Sequence, residues 1–202
     1  MSKGQLIIFS GPSGSGKDTL LKELFACHPE IKLSISSITR DMRVGEVEGE
    51  KYHFISREEF EERLKNDEFL EHNVYVNNYY GTPKQPVLDA IQNGEDIILE
   101  IDVNGAAKVR EKMKDAVSIF IMPPSYDELY KRLKGRGTDS EEVISKRMSS
   151  ALSEIQRAFE YDYIVTNDVV DRAVDDILHI ILANRLTVDR QKDLIDEVLE
   201  KC

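Results

Sequence analysis

A short apolar run, Leu6 to Phe9, leads straight into Gly11-Pro12-Ser13-Gly14-Ser15-Gly16-Lys17, and a helical pattern follows at once. The spacing Gly11-x-x-x-x-Gly16-Lys17 between a strand and a helix is that of a phosphate loop. Glycines here let successive backbone N–H groups turn inward onto phosphate oxygens, and the helix amino terminus adds partial positive charge. Lys17 carries that charge on to the β and γ phosphates. The stretch from Gly11 to Thr19 is therefore the candidate site for a nucleoside triphosphate. A chance glycine-rich turn is the competing reading, and the order strand, loop, helix argues against it. One position departs from the pattern. Where Ser or Thr usually offers Mg²⁺ a hydroxyl, this chain has Asp18. That carboxylate either serves the metal or simply favours the helix dipole, an effect of about 0.3–1 kcal/mol.

Three more strand-length runs, Asp96 to Ile101, Val117 to Met122 and Tyr163 to Val165, are separated by helical patterns. Helices are expected over residues 17–26, 104–113, 125–134, 140–160 and 170–200, the last broken at least once. This rhythm predicts an α/β fold with a buried parallel sheet and crossover helices. Residues 33–82 do not fit it. Polar-alternating strands at Tyr52 to Ile55 and Phe69 to Val76, with an acidic helix near 57–66, predict a small α+β insertion. Cations crowd residues 131–158 around Gly135-Arg136-Gly137 and ask for an anionic partner. Thr138 with Glu141, or Asp139 with Glu142, predicts a capping box opening the next helix.

The 202 residues suit one domain carrying an insertion. With 27 basic against 38 acidic residues, the formal charge of −11 leaves no pervasive positive field for nucleic acid. No apolar run approaches the roughly 20 residues of a membrane span, and no signal-peptide h-region opens the chain. A soluble, cytoplasmic protein is expected, with no membrane partner. Cys27 and Cys202 are too few for a disulfide framework; the first reads as a buried residue and the second as tail. The four histidines show no metal-ligand spacing. Oligomeric state is left open.

Between the phosphate loop and the insertion lies Ser36-Ser37-Ile38-Thr39-Arg40-Asp41-Met42-Arg43, followed by Gly45-Glu46, Gly49 and Tyr52. The planar forks of Arg40 and Arg43 suit bidentate phosphate contact, and Ser36 and Tyr52 could add hydroxyl donors. Glu71 follows in a strand, then Tyr79-Tyr80-Gly81-Thr82, a Tyr-Tyr-Gly sequence that by itself reads as a turn. Farther on come Leu99-Glu100-Ile101-Asp102, Gly135-Arg136-Gly137-Thr138-Asp139, Tyr161-Asp162-Tyr163 and Thr166-Asn167-Asp168. In this order, and over essentially the whole chain, these motifs resemble guanylate kinase.

The resemblance implies transfer of the γ-phosphoryl of ATP to GMP, and to dGMP, giving the diphosphates with Mg²⁺. It implies a P-loop kinase core of parallel sheet and flanking helices (1–32, 84–124 and 160–202), a GMP-binding insertion (33–83) and a helical lid (125–159). Ser36, Arg40, Arg43, Tyr52 and Tyr80 would hold the GMP phosphate, and Glu71 and Thr82 the guanine. Chemistry agrees, because guanine presents N1–H and N2–H₂ side by side to one carboxylate, and adenine offers no such pair. Glu100 would lean towards GMP and Asp102 towards the metal, Asp18 being the other metal candidate. Arg136 is the first lid cation expected over the migrating phosphoryl, then Arg147 and Arg132. A charge beside the apolar stripe Ile144, Met148, Ala151, Ile155 can also simply snorkel. Asn167 would lie near the adenine or cap a turn. Asp102-Val103-Asn104-Gly105 also spells a GTPase D-x-x-G, but Asn167-Asp168 lacks the lysine that reading needs. Two alternatives remain: a catalytically inert guanylate-kinase-like interaction module, and a P-loop kinase for another phosphorylated acceptor. Intact Lys17 and Arg40 argue against the first, Glu71 with Thr82 against the second.

Overall fold

A computed structural model describes residues 3–135 and 140–200. Its centre is a five-stranded parallel sheet of β1 (Leu6–Ser10), β2 (Lys32–Leu33), β7 (Ile97–Glu100), β8 (Val117–Met122) and β9 (Tyr163–Thr166). The spatial order is β2-β7-β1-β8-β9. Continuous apolar runs form these strands because both faces are covered. Period-two alternation sends Ile7 and Phe9 to one face, where they pack with Leu20 and Leu24 of α1 (Lys17–Cys27) and Ile177 of α7 (Val170–Arg185). Leu6 and Ile8 face the other way, towards Val87 of α3 (Lys84–Gln92) and Val109 of α4 (Val103–Lys112).

The insertion has its own sheet: β3 (Ser36–Ile38), β4 (Tyr52–Phe54), β5 (Phe69–Tyr75) and β6 (Asn78–Pro83), in the order β4-β3-β6-β5, with α2 (Arg57–Lys65) beside it. β3 and β4 run parallel, and the other pairings are antiparallel. Leu33, expected to open the insertion, pairs with Ile98 in the core sheet. Tyr79-Tyr80-Gly81-Thr82, a turn by composition, is strand β6. Gly81 is there because a Cβ would lie 2.8 Å from Phe60 Cζ, within the Phe60–Phe69 ring stack.

The predicted helices form with small shifts. Residues 170–200 break into α7, a 3₁₀ turn at Val188–Gln191, and α8 (Lys192–Leu199). The 140–160 segment is α6 (Glu141–Gln156) followed by a 3₁₀ turn. The cap of α6 is Ser140, whose Oγ accepts from the Val143 N–H, and not the capping box expected from Thr138 or Asp139, which lie outside the described residues. Leu129 and Leu133 of α5 (Tyr126–Lys134) pack on Ile144, Met148 and Ala151 of α6, making a small separate core. Cys27 is exposed, correcting the buried reading: the buried stripe of α1 is Leu20, Leu21 and Leu24, and Cys27 ends the helix outside it. Cys202 lies outside the described residues. Among the described residues no helix is long and apolar enough to cross a membrane.

Candidate active site

The loop 11–16 follows the carboxyl end of β1, and the β1–β7 register pairs Phe9 with Glu100, so Glu100 stands at the same sheet edge. Such an edge is where ligands bind in open parallel sheets. Gly16 precedes α1 with φ +88° and no side-chain cap, leaving the first-turn N–H groups for an anion. A Cβ on Gly16 would lie 2.3 Å from Asn167 Nδ2, and that amide donates to Ser15 O at 2.8 Å. Asn167 thus buttresses the back of the loop. Arg132 does so too, donating to Ser15 O at 3.3 Å and Asn167 O at 3.0 Å.

Lys17 Nζ donates to the carbonyls of Gly11 (2.5 Å) and Pro12 (3.2 Å). Burial pushes its pKa below the ordinary lysine value, and the Glu100, Glu154 and Asp18 carboxylates oppose that push. From the lid, Arg147 Nη2 donates to Ser13 Oγ at 2.9 Å. Glu154, a residue of α6 that sequence reasoning missed, is raised by burial, against the pull of Lys17 and the Ser13 N–H. Arg136 lies outside the described residues. Asp18 is exposed in the first turn of α1 beside the equally exposed Thr19.

Across the cleft, the second sheet gathers the phosphate candidates. Ser36 pairs with Tyr52, and Ile38 pairs with Tyr80. Arg40 lies 5.5 Å from the Tyr52 ring centroid and is gripped by Glu46, Nη1 to Oε2 at 2.6 Å and Nη2 to Oε1 at 2.5 Å. That hydrogen-bonded carboxylate raises the Arg40 pKa, with Tyr80 assisting, and Arg40 holds Glu46 down to about 2. Arg43 gives its backbone N–H to the same carboxylate, and its side chain is exposed.

Glu71 and Thr82 are register partners on β5 and β6, both buried, and Thr82 Oγ1 donates to Glu71 Oε1 at 2.8 Å. Burial pushes the Glu71 pKa up, opposed by the Thr82 hydroxyl. The other oxygen, Oε2, lies over Gly105 of α4, where a Cβ would come within 2.8 Å of it. Asp102 caps α4: its Oδ1 accepts from the Asn104 and Gly105 N–H groups at 2.8 Å, and its Oδ2 from Asn73 Nδ2 at 2.6 Å.

The structure therefore brings together the two groups of phosphate candidates and the buried Glu71–Thr82 pair. It also contains contacts no local pattern announces: Glu46 on Arg40, Gly105 under Glu71, and Lys51 between Asp18 and Glu100. Glu46 belongs to a motif read for its neighbours, and Lys51 sits beside Tyr52; Gly105 enters only as the last letter of the Asp102-Val103-Asn104-Gly105 pattern, which says nothing of Glu71.

The guanylate kinase family model matches residues 3–184. A guanylate kinase of Caldanaerobacter subterraneus subsp. tengcongensis is 50% identical over 199 residues, 98% of this chain and 97% of that one. One of Escherichia coli (strain K12) is 46% identical, covering 100% of this chain and 98% of its own. The crystal structure of guanylate kinase from Anaplasma phagocytophilum superposes with a TM-score of 0.77 at 35% identity, over 94% of this chain and 90% of that one.

Proposed function

Since the chain belongs to the guanylate kinase family and transfers the γ-phosphoryl of ATP to GMP, we propose the following division of labour among its residues. The loop Gly11 to Lys17 and the open first turn of α1 hold the ATP phosphates, with Lys17 turning from its loop carbonyls to the β/γ oxygens. Ser36, Arg40, Arg43, Tyr52 and Tyr80 hold the GMP phosphate. A phosphate oxygen of GMP attacks the γ-phosphorus in line, the bond to the β–γ bridging oxygen breaks, and ADP leaves. Arg147, with Arg136 beyond the described residues, closes over the group in flight and keeps water out.

Among the described residues, no group of three or more His, Cys, Asp or Glu side chains is arranged to hold a metal by itself. Asp102 fits poorly as a ligand, because both its oxygens are engaged by the α4 cap and Asn73. Asp18 is exposed at the loop, but its Oδ1 is engaged as well, 2.5 Å from Lys51 Nζ, so it would meet a metal brought by ATP only by sharing its carboxylate with that ammonium. Mg²⁺ brought with ATP would supply charge neutralisation on the polyphosphate.

The observation that carries the acceptor assignment is the buried Glu71, fixed by Thr82 on one oxygen, in the same small sheet as the Arg40 cluster. dGMP is expected to serve as well, since the residues assigned here are assigned to the base and the phosphate and none to the 2′-hydroxyl. The cytoplasmic placement expected from the sequence suits an enzyme fed by free nucleotides. A coupled assay of ADP release with GMP, dGMP, AMP, UMP and ribose phosphates tests this reading. Turnover is expected with the two guanine nucleotides, at least about 10³-fold above AMP; equal turnover of GMP and AMP overturns it.

A further inference from the structure

Lys51 belongs to neither phosphate motif, yet it lies where the two meet. It immediately precedes β4 in the insertion, and its Nζ stands 2.5 Å from Asp18 Oδ1 and 2.8 Å from Glu100 Oε2. Asp18 follows Lys17 at the start of α1, and Glu100 ends β7 at the loop mouth. The next residue, Tyr52, belongs to the acceptor-phosphate cluster, with its ring centroid 6.0 Å from the same ammonium. One side chain therefore spans the donor loop and the acceptor surface.

Electrostatics agree with that placement. Burial works against the Lys51 charge, but Glu100 and Asp18 outweigh it and hold the ammonium above its ordinary pKa. The Glu100 and Asp18 carboxylates and the Lys51 ammonium also act through space on Lys17, the carboxylates raising its pKa and Lys51 lowering it. Asp18 puts an additional negative charge beside the polyphosphate, and Lys51 is the cation that meets it.

We propose that Lys51 is a further catalytic cation of the phosphoryl transfer, contributed by the acceptor-binding sheet and seated by Asp18 and Glu100 between the donor and acceptor phosphates. The proposal rests on the assignment of the two phosphate surfaces given above. Charge spreads over the oxygens of the migrating group in the transition state, and an ammonium fixed between the reacting partners stabilises that state more than either bound substrate. Asp18, standing where the phosphate-loop pattern has Ser or Thr, then has a role of its own: it holds a lysine from the opposite side of the cleft.

The test uses the full chain and three measurements on Lys51→Met and Lys51→Arg: steady-state rates at saturating Mg²⁺, calorimetric affinities for GMP alone and for Mg·ATP alone, and the thermal midpoint. Lys51→Met is expected to lower kcat at least about tenfold while both affinities stay within about threefold. Lys51→Arg, which keeps the charge, is expected to exceed Lys51→Met in kcat by at least about threefold and serves as the folded comparison. A Lys51→Met kcat within about twofold of wild type overturns the proposal, as does a loss of nucleotide affinity that matches the loss of kcat. Wild-type turnover of GMP in the same assay tests the underlying assignment separately: the inference fails alone when wild type and Lys51→Met both turn GMP over equally well.

Discussion

Arg40 and Glu46 form a two-point ion pair that presents the guanidinium to the cleft already oriented, with Tyr52 and Tyr80 beside it. A fork held at both nitrogens loses little freedom when a phosphate arrives, which a lysine cannot imitate.

Replacing that fork separates geometry from charge. Arg40→Lys is expected to lower kcat/KM for GMP at least about tenfold, with ATP affinity nearly unchanged. Steady-state kinetics with GMP varied at fixed ATP provide the measurement; a loss under about twofold would show that charge alone suffices.

The same pair has a defined acid limit. Glu46 titrates at about 2 in the folded chain, against 4.5 for an ordinary glutamate. Because its folded pKa is depressed, its contribution to stability is fully present above about 4.5 and is lost as pH falls through about 2. A ¹³C titration of the Glu46 carboxyl should show that low midpoint, and Arg40→Lys should move it back upward.

Lys17→Ala is expected to lower kcat at least about a hundredfold. Its bonds to Gly11 O and Pro12 O are local to the loop, so the melting temperature should stay within about 3 °C of wild type. A variant keeping more than about a tenth of normal turnover removes Lys17 from the reaction.

Gly105→Ala tests the guanine reader without touching it. In a helix this substitution normally adds about 1 kcal/mol of stability. Here the new Cβ would lie 2.8 Å from Glu71 Oε2, and Thr82 restrains the carboxylate on its other side. The expected result is a KM for GMP raised at least about tenfold with no fall in melting temperature. An unchanged KM would mean that Glu71 can shift without consequence. Burial also raises the Glu71 pKa, so GMP affinity should begin to fall on acidification above the ordinary value of 4.5, and Glu71→Gln should abolish that pH dependence.

Arg147→Ala should lower kcat more than it raises the KM for GMP, because its hydrogen bond to Ser13 joins α6, the proposed lid helix, to the phosphate loop. If only the melting temperature moves, Arg147 is a packing residue at the edge of the α6 stripe.

Much of this architecture is legible in local sequence. The phosphate loop and four core strands announce themselves because their signals, glycine spacing and continuous apolar runs, are short-range. β6 does not, since Tyr79-Tyr80-Gly81 has turn composition and the reason for Gly81 is the ring of Phe60, 21 residues away. α3 buries only Val87 and Ala90 and contains Pro86, so its periodicity is faint. Tyr52 beside Arg40 and Thr82 beside Glu71 follow from motif order, but Glu46 on Arg40 does not. Lys51 with Asp18, 33 residues apart, is a pairing only the folded chain creates.

The two sheets share no strand: the five strands that carry the phosphate loop and the four that carry the acceptor site each complete their ladders among themselves. On the proposed assignment of the acceptor site, substrate choice is a modular trait of this protein. Rebuilding the strands from Ser36 to Pro83 around a retained Lys51 would then retune which monophosphate is accepted and leave every backbone ladder bond behind the phosphate loop in place, so that evolution or an engineer can vary the acceptor while inheriting the donor scaffold.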